Sequence, residues 1–259
     1  MNHLDLFSGI GGFSLAAKWA WGAAHNPVAF VEKDPFCRKV LAKHWPEVKQ
    51  YDDICTFDAK PYRGTVDLLT GGFPCQDVSQ FGVTHKGLQG ERSGLWREML
   101  RVVREVQPVW IVAENVAALK NNGLDAVCAD LEGAGYTVTP LLLGAYAFGA
   151  CHVRRRFFIV AHRHGFGVER RSKFALPQFK EFYRRQDGRR VAPLLHRTAI
   201  HESGVCLSGD GLPGVVARLD RHGKDSLKAL GNAIVPQVAY EIMRGIMLAE
   251  SADSIGDIR

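Results

Sequence analysis

The chain alternates between short apolar segments and segments of helical periodicity, and this alternation limits its possible folds more than any other feature. The predicted strands cover residues 3–7, 27–32, 66–70, 109–113, 136–143 and 157–160. The predicted helices between them cover residues 13–21, 34–44, 93–106 and 123–135, and Asp34, followed by Pro35, is the predicted N-cap of the second. Strands separated by helices form mostly parallel sheets that are covered by helices on both faces. The sequence therefore predicts an α/β fold with a doubly wound, mostly parallel sheet.

The alternation stops after residue 161, which divides the chain into three predicted parts. Residues 1–162 form the core domain, and residues 163–215 form a small basic region without sustained periodicity. Helical spacing returns at 225–230 and 236–248, so we expect the segment 216–259 to return to the core. Residues 163–197 contain ten Lys or Arg and three acidic residues, in a chain of net charge +6. This density predicts contact with phosphate groups; a solvated surface segment is the alternative.

Several classes of protein do not fit the sequence. No apolar stretch reaches the ~18–20 residues that a membrane-spanning helix needs. The amino terminus lacks the basic and apolar regions of a signal peptide, so we expect a cytoplasmic protein. The six cysteines contain no C-x-x-C pair, and we expect neither a disulfide framework nor a metal site.

A glycine-rich turn follows the first predicted strand, in the segment DLFSGIGGFSLA that spans residues 5–16. Glycines at this position let the backbone approach a ligand closely, and we expect Gly9, Ile10, Gly11 and Gly12 to line a cofactor site. Glu32 ends the next strand, 23 residues after Gly9, as an acid that binds ribose hydroxyls does. Nicotinamide, flavin and S-adenosylmethionine sites share this pattern, and a turn that serves only helix packing also fits it.

Three further segments place reactive side chains at predicted strand ends. Cys75 follows a strand in GGFPCQDVS, at the edge where open α/β sheets bind ligands, although a small buried cysteine is the alternative. Glu114 follows the next strand in WIVAENVAAL, where a partly apolar surrounding would raise its pKa and make it a proton donor. Arg154 and Arg156 share one face of CHVRRRFFIV and could hold a carbonyl oxygen or a phosphate.

A cysteine, an acid and paired arginines beside an adenosine cofactor suit the methylation of cytosine at C5. This carbon is a poor nucleophile until a thiolate adds at C6 and converts the ring into an enamine. Hydrogen bonding of an acid to N3 makes that addition easier, and the covalent route replaces one difficult step by easier ones.

The segments DLFSGIGGFSLA, GGFPCQDVS, AENV, HVRRRFF and LGNAIVPQVA occur in this order, and with them the chain resembles the DNA (cytosine-5)-methyltransferase family. The resemblance covers about residues 3–161 and 225–248. It implies a Rossmann-like catalytic domain that binds S-adenosylmethionine, double-stranded DNA as substrate, and a monomer. It also implies that Cys75 attacks C6 of a flipped cytosine, that Glu114 contacts N3, and that Arg156, supported by Arg154, holds the base. The implied cofactor contacts, together with the glycine turn, are Phe7, Gly9, Ile10, Glu32, Asp53, Ile54, Pro74, Leu95, Asn232 and Ala233.

The implied DNA contacts lie in two segments. Residues 76–94 resemble the family's mobile catalytic loop, with Ser79 and Arg92 as candidate contacts. The basic region 163–215 resembles a short target-recognition region, with Arg170, Arg171, Arg184, Arg185, Arg189 and Arg190 as candidate contacts. His152 stands where the family usually has glutamine, and the arginine-rich signature that normally precedes the Gly-Asn motif is replaced by VARLDRHGKDSLKAL.

Three other functions remain open at this point. A cytosine-5 methyltransferase acting on tRNA would use the same chemistry, and the basic region does not separate DNA from RNA. A non-catalytic DNA-binding relative is the second alternative, against which the intact reactive residues argue. A nicotinamide-dependent oxidoreductase explains the glycine turn but neither Pro-Cys-Gln nor Glu-Asn-Val. The sequence likewise leaves host defence, protection of a phage genome and an independent regulatory role open.

Overall fold

Seven strands form a single sheet at the centre of the described part of the chain. The computed structural model describes residues 1–74, 94–150, 153–164 and 221–256. The strands are β1 (Asn2–Leu6), β2 (Asn26–Val31), β3 (Lys49–Tyr51), β4 (Leu68–Gly72), β5 (Trp110–Val116), β6 (Tyr136–Gly144) and β7 (Arg155–Arg163). The α-helices are α1 (Gly12–Trp21), α2 (Pro35–His44), α3 (Gly94–Val106), α4 (Leu119–Asn122), α5 (Leu124–Gly133), α6 (Arg221–Asn232) and α7 (Pro236–Gly256). Short 3₁₀ helices lie at Gly22–Ala24, Lys60–Tyr62 and Ala145–Phe148.

The strand order is β3-β2-β1-β4-β5-β7-β6. Strands β1 to β5 pair in parallel, and β7 runs antiparallel to both β5 and β6. The prediction of a doubly wound, mostly parallel α/β sheet is confirmed. After β1 the chain builds one side of the sheet and then crosses to β4 on the other side. Such a change of direction opens a crevice at the carboxyl ends of the strands, where ligands bind in folds of this kind.

Alternating side chains of the strands face two separate cores. Leu69 and Ile111 pack against the apolar faces of α3 and α5. Their neighbours Leu68 and Trp110 face the other way and pack against α1 and α7. Because successive strand residues point to opposite faces, runs of apolar residues were needed to fill both cores.

The element boundaries differ from the predictions in ways that have physical reasons. The short, polar strand β3 was not predicted, and it forms because its backbone pairs with β2. Strand β4 runs to Gly72 rather than ending at Thr70, because pairing with β5 overrides the low strand propensity of glycine. The helix predicted over 123–135 is α5, which begins at Leu124; the short helix α4 before it was not predicted, and Gly123, with a φ of 145°, separates the two. The prediction that Asp34 caps α2 is confirmed: its Oδ1 accepts a hydrogen bond from the Phe36 amide at 2.9 Å.

A buried chain of polar side chains lies between β1, β4 and α1. Thr70 and Ser14 donate hydrogen bonds to the two carboxyl oxygens of Asp5, at 2.7 and 3.0 Å. His3 Nε2 lies 2.7 Å from the Thr70 hydroxyl, and its Nδ1 lies 3.0 Å from Nε2 of His25. With the Thr70 proton directed at Asp5 Oδ1, the Thr70 oxygen can accept a hydrogen bond from His3 Nε2. Burial is the main cause that raises the pKa of Asp5 to about 7.

The described helices are all too short or too polar to cross a membrane.

Candidate active site

A cavity of about 610 Å³ opens at the carboxyl ends of the parallel strands. Its lining includes Glu114, Arg154 and Arg156 of the predicted reactive residues. The lining also includes nine predicted cofactor residues: Phe7, Gly9, Glu32, Asp53, Ile54, Pro74, Leu95, Asn232 and Ala233. One cavity therefore brings together both groups of residues, which come from distant parts of the sequence.

The other predicted cofactor residues, Ile10, Gly11 and Gly12, are not part of the cavity lining. The two glycines meet close packing instead. A Cβ atom on Gly11, whose φ is 86°, would lie 2.5 Å from the Trp45 ring, and one on Gly12 would lie 2.7 Å from Ile234 Cγ1. Glycine is required at both positions because α2 and the C-terminal segment approach the start of α1 closely.

The glycine turn is fixed by the acid at the end of β2. Phe7 and Gly9 have φ values of 50° and 53°, which turn the chain sharply after β1. Glu32 Oε2 accepts a hydrogen bond from the Gly9 amide at 2.7 Å, and Oε1 accepts one from the Asp34 amide at 2.7 Å. Each oxygen keeps a lone pair for a further donor. The Glu32 carboxylate thus has a fixed orientation in the cavity and can accept two further hydrogen bonds.

A second acid lies beside Glu32 in the same wall. Asp53 accepts a hydrogen bond from the Cys55 amide at 2.9 Å, and this bond is the main cause that lowers the pKa of Asp53. The adjacent Ile54 is buried and joins the core. The wall therefore presents an ionised carboxylate next to an apolar surface.

Glu114 is the buried acid at the end of β5. It lies directly opposite Gly72 of β4 and is 8% exposed. Arg156 Nε lies 3.1 Å from Glu114 Oε1, an ion pair whose angles do not make a hydrogen bond. Among the described residues Oε1 consequently has no hydrogen-bond donor. Burial raises the pKa of Glu114, and the nearby Arg156 and Arg154 oppose that rise in part.

Asn115 holds the end of β4 next to Glu114. This side chain is 2% exposed, and its Nδ2 donates a hydrogen bond to the Phe73 carbonyl at 3.1 Å. Its Oδ1 accepts a hydrogen bond from the Val116 amide at 2.8 Å. The backbone that leads into Pro74 and Cys75 is thereby tied to β5. The sequence analysis did not predict this role of Asn115. The signal for it was a second polar residue directly after Glu114 in an otherwise apolar strand.

Arg154 connects the site to the C-terminal segment. Its Nη1 donates to the Gly231 carbonyl and its Nη2 to the Ala233 carbonyl, each at 2.8 Å. Because the segment that contains Asn232 lies between these two acceptors, Arg154 fixes it at the cavity. Burial is the main cause that lowers the pKa of Arg154.

A second contact holds the same segment from the other side. Lys228 Nζ of α6 lies 3.0 Å from Asp34 Oδ2, at the start of α2. The hydrogen bond from Lys228 is the main cause that lowers the pKa of Asp34. Both side chains line the cavity, and their pairing could not be predicted because they lie 194 residues apart.

The remaining predicted site residues lie outside the described residues. They are the predicted nucleophile, the loop contacts, the histidine at the usual glutamine position and the basic region: Cys75, Ser79, Arg92, His152, Arg170, Arg171, Arg184, Arg185, Arg189 and Arg190. The roles predicted for them stay predictions.

Comparison with known proteins gives the family. Residues 1–203 match the family model of the C-5 cytosine-specific DNA methylases. The chain belongs to this family. A relative in Bacillus subtilis, the type II methyltransferase M2.BsuMI, is 34% identical over 169 residues, which cover 62% of this chain and 42% of the relative. The Escherichia coli type II methyltransferase M.Eco47II is 36% identical over 166 residues, or 62% of this chain and 39% of the relative.

The chain is also similar to a solved methyltransferase structure. A protein from E. coli, described as a DNA modification methyltransferase encoded within a prophage, superimposes with a TM-score of 0.51 at 28% identity. The match covers 63% of this chain and 47% of that protein. The chain spans less than half the length of these relatives. The resemblance to the DNA (cytosine-5)-methyltransferases drawn from the sequence motifs is confirmed.

Proposed function

We propose that the chain is a DNA (cytosine-5)-methyltransferase that transfers a methyl group from S-adenosylmethionine to a flipped cytosine. The observation that carries this proposal is the arrangement around Glu114. A buried carboxyl group lines the cavity beside the backbone that leads into Cys75; its pKa is raised, and none of the described residues donates a hydrogen bond to its Oε1. The family and the names of the relatives, which are methyltransferases, support the reaction.

The cavity fits an adenosine cofactor. Glu32 offers two oriented acceptors for the ribose hydroxyls, and Asp53 and Ile54 offer a carboxylate and an apolar wall for the adenine. Phe7, Leu95 and Asn232 would complete the contacts. When bound, S-adenosylmethionine would supply an electrophilic methyl group for C5 of the cytosine.

Three side chains would activate the base. The Cys75 thiolate forms a bond to C6, and the electron pair of the C5–C6 double bond makes C5 nucleophilic. Glu114, whose pKa burial raises, would donate a proton to N3 as this charge develops. Arg156, whose Nε lies 3.1 Å from Glu114 Oε1, would donate a hydrogen bond to the carbonyl oxygen of the base.

Release of the enzyme reverses these contacts. After C5 has gained the methyl group, its proton leaves to water and the Cys75–C6 bond breaks, which restores the aromatic ring and the thiolate. The proton on N3 returns to Glu114. The described residues that close the cavity, including the segment fixed by Arg154, would limit the access of bulk water during this sequence.

Methyl transfer from labelled S-adenosylmethionine to unmethylated duplex DNA tests the proposal, with tRNA in a parallel reaction. We expect 5-methylcytosine in the DNA, loss of the label with Cys75→Ala, and no loss with Cys128→Ala. Cys128 is the matched control because it lies on α5 and does not line the cavity. Label in tRNA alone would contradict the DNA substrate. Cofactor binding without transfer to either nucleic acid would favour a non-catalytic binding protein.

A further inference from the structure

One arginine outside the cavity lining joins two of its walls. Arg101 lies on α3, and its guanidinium reaches acceptors on two elements. Its Nε donates to Glu98 Oε2 at 2.7 Å, and its Nη1 donates to Glu105 Oε2 at 2.9 Å. Its Nη2 donates to the carbonyls of Ile54, at 2.8 Å, and Phe57, at 3.2 Å.

The two glutamates hold the guanidinium in one orientation. They lie three residues before and four residues after Arg101 on the same helix face, so both carboxylates flank it. The Arg101 side chain is 31% exposed, which means that solvent competes for it only in part. A planar guanidinium fixed in this way directs Nη2 at the segment beside the helix.

That segment, residues 52–57, carries the acidic and apolar wall of the cavity. Its own hydrogen bonds are local: the Cys55 amide and both the amide and the hydroxyl of Thr56 donate to Asp53. The segment also forms two surface ion pairs. Its remaining polar contacts within the described residues are the two hydrogen bonds from Arg101. The side chains of Ile54 and Phe57 are buried in the core, but apolar contacts are not directional and do not orient the backbone carbonyls.

Helix α3 itself supplies the other wall. Leu95 lies in its first turn and lines the cavity, as Ile54 does. The hydrogen bond from Arg101 to the Ile54 carbonyl therefore sets the relative position of the two apolar side chains between which a flat adenine ring would lie.

We propose that Arg101 is a positioning residue for cofactor binding, which fixes the Asp53–Ile54 wall against α3 in the geometry that accepts an adenine ring. The inference rests on the proposed function, since it assigns adenosine as the ligand of this wall. Arg101 touches no reacting atom in this account. It affects the affinity for the cofactor and leaves the chemical step unchanged.

Equilibrium binding of labelled S-adenosylmethionine to the wild-type chain, Arg101→Gln and Arg101→Lys tests this role. We expect the Kd of Arg101→Gln to rise about tenfold, because the ligand must then order the wall itself. Arg101→Lys keeps one charge-assisted contact and should restore part of the affinity. In methyl transfer, KM for the cofactor should rise while kcat stays within twofold of the wild type.

Tyr136→Phe is the matched control for stability. It removes a buried hydrogen bond, from the Tyr136 hydroxyl to the Pro108 carbonyl at 2.9 Å, and neither residue lines the cavity. A loss of Tm in this variant without a change in Kd would separate general stability from positioning. An unchanged Kd in Arg101→Gln would overturn the proposal; if that variant does not fold, an unchanged Kd in Arg101→Lys would do so.

Hydrogen exchange of the ligand-free protein separates this inference from the proposed function. The amides of residues 54–57 should exchange faster in Arg101→Gln than in the wild type, whether or not a cofactor binds. Wild-type protein that fails to bind S-adenosylmethionine would count against the proposed function alone. Unchanged exchange at these amides would count against the role of Arg101.

Discussion

Replacement of Asn115 by aspartate should slow methyl transfer far more than it weakens cofactor binding. The wild-type Nδ2 donates to the Phe73 carbonyl, two residues before Cys75, while Oδ1 accepts from the Val116 amide. Aspartate has nearly the same shape and keeps the acceptor for Val116. It places an oxygen where the donor stood, so a carboxylate oxygen would face the Phe73 carbonyl at close range.

The structure sets the size of the effect. Asn115 is 2% exposed, so water does not replace the lost donor. An unsatisfied buried carbonyl costs about 1–3 kcal/mol. The backbone before Cys75 can shift to relieve this cost, but the reactive geometry must then be regained in the transition state. The activation free energy would rise by the same amount, which slows the reaction roughly 5- to 160-fold.

Single-turnover methyl transfer and cofactor Kd measured on the same preparation provide the assay. Asn121→Asp makes the same substitution at an exposed position and should leave both quantities unchanged. The ratio of Asn115→Asp activity to wild-type activity should increase as the pH falls, because a protonated aspartate can donate to the Phe73 carbonyl again. A rate within twofold of the wild type at neutral pH would refute the argument that Asn115 positions the nucleophile.

Three further substitutions follow from the same contacts. As the pH rises from about 4 to about 7, the free energy of unfolding of the wild type, measured with urea, should fall by about 4 kcal/mol relative to that of Asp5→Asn. Folding raises the pKa of Asp5 from 3.8 to about 7, so in this range the folded state holds a proton that the unfolded state has lost. Parallel pH profiles of the two proteins would contradict this. Glu114→Gln should lower kcat by ~10²–10⁴-fold without changing the cofactor Kd, and the kcat of the wild type should decline as rising pH removes the Glu114 proton. A kcat of Glu114→Gln near that of the wild type would exclude proton donation by Glu114. In Arg154→Lys, the lysine cannot reach the Gly231 and Ala233 carbonyls together, so amide exchange in residues 231–233 should accelerate and the cofactor Kd should rise. Unchanged exchange would show that other contacts hold the segment.

The sheet could be predicted because local sequence carried the signal for it. Apolar runs between helical segments predict parallel strands, and Asp34 before Pro35 predicts the start of α2. Strand β3 escaped prediction because its three residues are polar and form a strand only through pairing with β2. Gly71 and Gly72 escaped for the same reason, since Gly71 is held in the strand by pairing with β1 and β5, and Gly72 by pairing with β5.

The site was predictable as a set of residues and not as a set of contacts. Glu32 and Glu114 could be named because each ends or follows an apolar strand in a familiar motif, and Asp53 was implied by the family resemblance. The roles of Arg101, Asn115 and Lys228 depend on side-chain contacts with residues distant in sequence, which periodicity does not reveal. Gly11 and Gly12 illustrate the converse, because a motif that suggested cofactor contact is also explained by tight packing.

The central claim is that Cys75 forms a covalent bond to C6 of a cytosine in DNA. Duplex DNA in which 5-fluorocytosine replaces cytosine tests it most directly, since fluorine at C5 leaves no proton to be lost and the adduct cannot break down by elimination. With S-adenosylmethionine present, we expect a protein–DNA adduct that resists denaturation and that peptide mass spectrometry places on Cys75. Absence of an adduct from protein that binds both the DNA and the cofactor, or an adduct on another residue, would contradict the account.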